Sequence, residues 1–281
     1  MTTLEEMRAE INRYTPGNTR PEAEHGYQRV ALQLFGLMGH GKSSLINSCL
    51  CVLADAEYRN EAGAGQSDGT MTTSRTEHKL TNELVMIDNR GFAKLDSDEI
   101  LEARAQLRSL RDIGKVSWED NLTKTLEQIP KKYSQRPADV IVPIYVYSAT
   151  QAWSQSDGTD IQKLTKSALT ITGIHPIVVI TRCSEDKRNE VWKRFGELGV
   201  MERHCLENYT ENDHQRSEEK DRNILAFLKI CIREAEWELS KRLNQDRQAM
   251  FVEQAVDQVK QETEEYKNLK TQDNKNKCNP F

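Results

Sequence analysis

The sequence predicts an α/β fold: a mostly parallel sheet with one antiparallel strand, helices on both faces, and a C-terminal helical extension. Three observations predict it. Apolar strand-like runs alternate with helix-periodic segments over residues 28–240, the order that builds parallel crossover units. A glycine-bracketed stretch, Gly36-Leu-Met-Gly39-His40-Gly41-Lys42-Ser43, separates the first strand from the first amphipathic helix. Two β-rich runs, SRTEHKL and ELVMID, meet at Thr81-Asn82 as an antiparallel hairpin.

Residues 4–14 read as a short helix, and Pro16, Gly17 and Pro21 then break the chain. Gln28–Phe35 is a buried strand that Gly36 ends. A helix is expected from Lys42 to about Glu57, with Leu45, Ile46, Cys49, Leu50 and Leu53 on one face. The glycine-containing run 58–72 has no periodicity and reads as a long functional loop. After the hairpin comes a helix over roughly 98–111, then an ambiguous stretch to Pro130. Residues 138–149 form a buried strand whose Pro143 suggests a bulge or an edge. A helix over 159–171, a strand over 175–182, a helix over 186–197 and a short strand over 201–207 follow. A long helix begins near Arg216, with Ile224, Leu225, Leu228, Cys231, Ile232, Ala235 and Leu239 at helical spacing. Its extension to about 267 carries Phe251, Val252, Ala255, Val256 and Val259, suited either to docking a partner or to packing back on the domain. The expected divisions are an N-terminal arm (1–27), the α/β domain (28–242), and a helical extension with a polar tail (243–281).

Composition excludes several function classes. The net charge of −5 supplies no basic surface for nucleic acid. No apolar run approaches the roughly 18 residues of a membrane span, and no secretory signal opens the chain. The six cysteines (49, 51, 183, 205, 231 and 278) form no C-x-x-C pair and no zinc spacing, which suits a reducing, cytoplasmic compartment.

The chemistry begins at residues 36–43, which match G-x-x-x-x-G-K-[ST] in full. Chance would give on the order of 0.01 such matches in a chain this long. Gly36, Gly39 and Gly41 let the backbone curl so that its N–H groups cradle phosphates. His40 and Ser44 lie in the same cradle. Lys42 is expected on the β- and γ-phosphates, Ser43 on Mg²⁺, and the following helix N-terminus adds its dipole. These features specify a P-loop NTPase fold of the GTPase-like type.

Asp88 closes an apolar strand in LVMID-N-R-G-F, where a carboxylate holds Mg²⁺, and Gly91 offers its N–H to the γ-phosphate. In the run GTMTTS, Thr70, Thr72 and Thr73 are candidates for the switch threonine that completes the Mg²⁺ shell; Thr72 and Thr73 stand nearest the strand. GTPases read guanine with N/T-K-x-D after a buried strand. Here Thr181 and Arg182 fit the first two positions and Ser184 stands where the Asp should be, with Glu185 or Asp186 as substitutes. Many GTPases orient water with Gln after D-x-x-G. That position is Phe92, which has no hydrogen-bonding group, so hydrolysis is expected to be slow or partner-stimulated. Arg75 and Arg90 are candidate cis helpers, otherwise solvated charges. His40 is a candidate catalytic residue, otherwise a loop filler with an exposed ring.

Taken together, LFGLMGHGKSSLINS, SDGTMTTS, MIDNRGF, VVITRCSED and ERHCLENYTEND resemble the interferon-induced protein 44 family of GTPase-like proteins over roughly residues 28–240. The stretches NLTKTLEQIPKKY and ENYTEND are less generic than the P-loop and add to the likeness. The resemblance implies a cytoplasmic, interferon-linked protein that binds GTP or GDP with Mg²⁺ and serves innate defence. Gly36, Gly41, Lys42, Ser43, Asp88 and Gly91 match that pattern, and Ser184 departs from it. The expected partners are guanine nucleotide and an unidentified protein, including a second copy in a nucleotide-dependent dimer; nucleic acid is not expected. The terminal CNPF has the outline of a prenylation signal, though Asn and Pro suit it poorly, and an ordinary polar tail is preferred. The alternatives are a scaffold that binds nucleotide without hydrolysing it and a P-loop ATPase.

Overall fold

The computed structural model describes residues 2–17, 26–63, 74–115, 138–153, 155–241, 257–264 and 268. Up to residue 241 the elements run in the order α1 (Leu4–Asn12), β1 (Tyr27–Phe35), α2 (Lys42–Leu53), β2 (Ser74–Lys79), β3 (Leu84–Asp88), α3 (Ser97–Leu107), β4 (Gly114–Lys115), β5 (Ala138–Ser148), α4 (Gln155–Thr172), β6 (Ile177–Thr181), α5 (Glu185–Glu197), β7 (Arg203–Leu206) and α6 (Glu218–Lys241). The strands form one sheet in the order β4-β2-β3-β1-β5-β6-β7. Strands β3, β1, β5, β6 and β7 are parallel, and β2 pairs antiparallel with both β3 and β4.

Period-two alternation along the strands splits the core between two layers. Val140, Val142, Ile144 and Val146 of β5 join α1, α2 and α6 on one face. Ile141, Tyr145 and Tyr147 join α3, α4 and α5 on the other. This is the expected α/β sheet with helices on both faces. The arm packs into the first layer: Met7, Ile11 and Tyr14 are buried there, and the Tyr14 hydroxyl donates to Glu236 Oε1 at 2.8 Å.

The sheet grows outward from β1 in both directions, towards β3 on one side and β5 on the other. The loop after β1 therefore lies where strand order reverses, at the C-terminal edge, the usual ligand crevice of such sheets.

Four details differ from expectation. Helix α2 stops at Leu53 rather than near Glu57, because Asp55 takes a left-handed φ of 50° and Ala56 N–H returns to Cys51 O at 3.0 Å. Helix α3 ends early by the same device: Ser109 has φ 56° and Leu110 N–H donates to Ala105 O at 2.9 Å. Neither stop carries a glycine, so neither shows in the sequence. Pro143 lies on a central strand, not an edge; the β1 register runs through it, and the β6 ladder begins one residue later, at Ile144. The short β4 has no counterpart among the elements the sequence predicts.

Residues 257–264 are helical. Val259 is buried and Glu262 pairs with Arg104 of α3 at 3.2 Å, so this part of the extension packs back on the domain. Phe251, Val252, Ala255, Val256, Cys278 and the CNPF terminus lie outside the described residues, as do Thr70, Thr72 and Thr73.

Candidate functional site

Strand β1 delivers the chain to Gly36 at the reversal point. Gly36 has φ 143°, and a Cβ there would stand 2.3 Å from Val146 O of β5. Only glycine lets the backbone turn this close to the neighbouring strand. The loop then curls to Gly41, which caps α2 in a left-handed conformation and has no side-chain acceptor over the first-turn amides. Those N–H groups, with the positive end of the helix dipole, face out of the helix end that Lys42, Ser43 and Ser44 begin.

The Lys42 ammonium lies folded into the loop. It donates to Gly36 O at 3.1 Å and Leu37 O at 3.0 Å, and its side chain is buried. Burial pulls its pKa down to about 8, with Asp88 opposing the shift. Ser43 Oγ donates to Asp88 Oδ2 at 3.0 Å, across 45 residues of sequence. Asp88 is only 3% exposed; burial pushes its carboxyl up, against the pull of Lys42 and Ser43. A hydroxyl, a carboxylate and an ammonium thus converge at the foot of α2.

Gly91 approaches from the next loop. A Cβ there would lie 2.9 Å from Lys42 Nζ and 3.0 Å from Met38 Cα. The two loops are stitched together: Phe92 N–H donates to Gly36 O at 3.1 Å and Met38 N–H donates to Phe92 O at 2.9 Å. The Phe92 ring is buried against Phe35, its centroid 6.4 Å away, and so points into the core rather than over the loop.

Arg75 and Arg90 are not solvated charges. Arg75 is 2% exposed and is held by Asn89 Oδ1 and Arg111 O, while Arg90 pairs with Glu99. His40 also differs from the exposed filler expected. Its ring is 3% exposed, lies edge-on to Tyr147, and accepts Ser148 N–H at Nδ1 over 3.3 Å. Burial, reinforced by nearby Lys42, lowers its pKa to about 4, so the imidazole is neutral at physiological pH.

The loop is braced from behind by the ends of β6 and β7. Thr181 Oγ1 donates to His40 O at 2.8 Å, Arg182 Nη1 donates to Gly39 O at 3.1 Å, and Asn208 Nδ2 donates to Gly41 O at 3.1 Å. Thr181 Oγ1 and Arg182 Nη1 are therefore each turned onto a loop carbonyl. Ser184 is exposed at the N-cap of α5 without a side-chain cap bond, and Glu185 and Asp186 occupy the first helical turn.

Asn208 and Asn89 are site residues that the sequence does not single out. Asn89 is buried between Leu34 O, to which its Nδ2 donates at 3.1 Å, and Arg75. Asn208 lies in the ENYTEND stretch, whose unusual composition is the available signal, although nothing local indicates a bond to residue 41.

Among the described residues, no helix is long and apolar enough to cross a membrane, and no group of three or more His, Cys, Asp or Glu could hold a metal ion. No protein-family model matches the chain, and no curated protein matches it. One solved structure, a protein from Thermus thermophilus, is similar over 60% of this chain at 18% identity with a TM-score of 0.31. The match spans 21% of that protein's length, a likeness too loose to carry function.

Proposed function

We propose that this chain is a P-loop NTPase of the GTPase-like type that binds a nucleoside triphosphate with Mg²⁺, GTP being the preferred nucleotide. The observation that carries the reading is the convergence of Lys42, Ser43 and Asp88 beneath an uncapped helix N-terminus at the sheet's reversal point. An anion seated there would meet backbone amides and would draw the Lys42 ammonium from the loop carbonyls that now hold it. The donor set suits Mg²⁺: one hydroxyl and one carboxylate oxygen leave the remaining positions to phosphate and water, as this cation prefers. The bound metal would neutralise phosphate charge, and it gives the buried Asp88 carboxylate a reason to stay ionised.

The guanine preference rests on the Thr181-Arg182 pair and on the family resemblance, with Ser184 as the departure. The resemblance also supports a role as a nucleotide-dependent switch in interferon-linked, cytoplasmic defence. A second reading is favoured by a specific observation. Phe92 is buried, and Arg75 and Arg90 are engaged elsewhere, so the chain itself brings no water-orienting or charge-stabilising group from these positions. On that reading the protein is a nucleotide-binding scaffold, or a GTPase that a partner or second copy completes.

Calorimetric titration with GTP, GDP and ATP in Mg²⁺, followed by phosphate release at rising protein concentration, tests both. Tight GTP binding is expected, with little turnover at low concentration. Equal or better ATP binding would remove the guanine preference. Fast turnover by the isolated chain would remove the scaffold reading, and absence of any nucleotide binding would sink the proposal.

A further inference from the structure

Two thiols meet beside the brace of the phosphate loop. Cys183 follows the end of β6 by two residues, and Cys205 lies in β7, where it pairs in register with Ile180. Their sulfurs are 3.2 Å apart, with Cys205 Sγ–H donating to Cys183 Sγ. Both side chains are half-buried rather than sealed, unlike the enclosed Cys49 and Cys231. With only two ligands in reach and no third His, Cys, Asp or Glu among the described residues, the pair does not make a metal site.

We propose that Cys183 and Cys205 form a redox-active dithiol, oxidised to an intramolecular disulfide by low-molecular-weight disulfides such as glutathione disulfide. Cys183 is the attacking sulfur. Burial pushes the Cys205 thiol up to about 12, which keeps it protonated as the hydrogen-bond donor and leaves Cys183, the acceptor, as the sulfur free to attack first. The Cys183 thiolate breaks the glutathione S–S bond, expels one glutathione thiolate, which takes up a proton, and leaves a mixed disulfide. Cys205 then gives its proton to solvent and attacks Cys183 Sγ. That step forms the protein S–S bond and releases the second glutathione. Two protein thiols are oxidised and one glutathione disulfide is reduced to two thiols. Arg188 of α5, beside Cys205, stabilises the thiolate that must form in the second step.

The disulfide would act on the phosphate loop. Closing the sulfurs to about 2.05 Å requires a movement of roughly 1.2 Å. Cys183 is joined directly to Arg182, whose left-handed backbone (φ 51°) places its guanidinium on Gly39 O, and Thr181 holds His40 O one residue earlier. A shift of an ångström breaks a 3.1 Å hydrogen bond. Oxidation therefore loosens the brace and weakens nucleotide binding. This coupling rests on the nucleotide-binding reading; the dithiol does not.

The full chain is incubated with glutathione disulfide and mapped by mass spectrometry without reduction. A Cys183–Cys205 crosslink with no retained glutathione is expected, and Cys205→Ser should trap a stable glutathione adduct on Cys183. A wild-type chain that carries glutathione on Cys183 without crosslinking, or stays reduced, overturns the dithiol. Calorimetry with Mg²⁺·GTP should then show roughly three- to tenfold weaker binding after oxidation, restored by dithiothreitol and absent in Cys183→Ser. Equal affinity in both forms overturns the coupling. Failure of the reduced chain to bind nucleotide overturns the nucleotide reading instead, while the peptide map still decides the dithiol.

Discussion

The two halves of the candidate site are built on opposite plans. Around the glycine-rich loop, polar groups converge: Lys42 folds over Gly36 and Leu37, Ser43 meets Asp88, and Gly91 leaves room for the ammonium that a Cβ would take. At the ends of β6 and β7 they diverge: Thr181, Arg182 and Asn208 each turn a donor back onto a carbonyl of that loop. The difference teaches how the site divides its work. The first half holds charge at a point, while the second holds the first in shape and leaves Ser184 exposed and without a side-chain cap bond.

The largest effect should come from the centre of the converging half. Lys42→Ala is expected to weaken Mg²⁺·GTP binding by roughly 100-fold or more, the loss of charge-assisted bonds in a buried setting. Calorimetry checks it, and unchanged affinity would break the comparison outright. The same lysine sets a pH dependence. Its pKa is lowered to about 8, so it carries its charge below that pH and loses it above. Affinity should hold from about pH 6.5 to 7.5 and decline as pH rises past about 8, a decline that Lys42→Arg removes. Because the unfolded lysine still binds its proton up to about 10.4, folding stability gains over the same interval in which ligand affinity falls.

Gly91→Ala probes the contact between the two loops. The added methyl meets Lys42 Nζ and the Met38 backbone, and only the ammonium can give way easily. An affinity loss of about tenfold is expected, with overpacking costing about 1–3 kcal/mol of stability. Thermal unfolding measured beside the titration separates the two. Asn208→Ala tests the bracing half by removing the bond to Gly41 O. The expected loss is about 1 kcal/mol, roughly fivefold in affinity and equal for GTP and ATP. A loss confined to GTP would show that Asn208 reads the base rather than bracing the loop.

The same contrast explains what the sequence makes legible. The converging half is encoded locally: Gly36, Gly41, Lys42 and Ser43 fall within eight residues because one turn of backbone must do all the work. Asp88 and Gly91 follow from closing a strand beneath it. The sheet is equally readable, since burial on both faces demands the apolar runs of β1, β5 and β6. The bracing half is not, because its bonds join residues 141 and 167 positions apart and use donors that any loop could carry. His40 misleads for a related reason. A histidine between two glycines reads as exposed, and only the packing of Tyr147 and Ser148 takes the ring inside. Asp55 and Ser109 end their helices in left-handed conformations that favour glycine, so the stops leave no trace.

Ser184 offers the smallest effect and the sharpest test of the division of labour. Ser184→Asp restores the carboxylate that would accept from guanine N1 and N2, groups adenine cannot match. The position is an exposed N-cap with no side-chain bond of its own, and Asp is among the best residues for that role, so folding should not suffer. Exposure also limits the gain, because water competes for the same carboxylate. A preference shift toward GTP over ATP of about 0.5 kcal/mol, roughly twofold, is expected from such a solvent-facing contact. A larger shift would mean that bound nucleotide covers Ser184 and excludes water there. No shift, with GTP still preferred, would place base selection elsewhere in the loops that follow β6 and β7. In that case the bracing half would be reading the base with the residues that hold the glycine-rich loop.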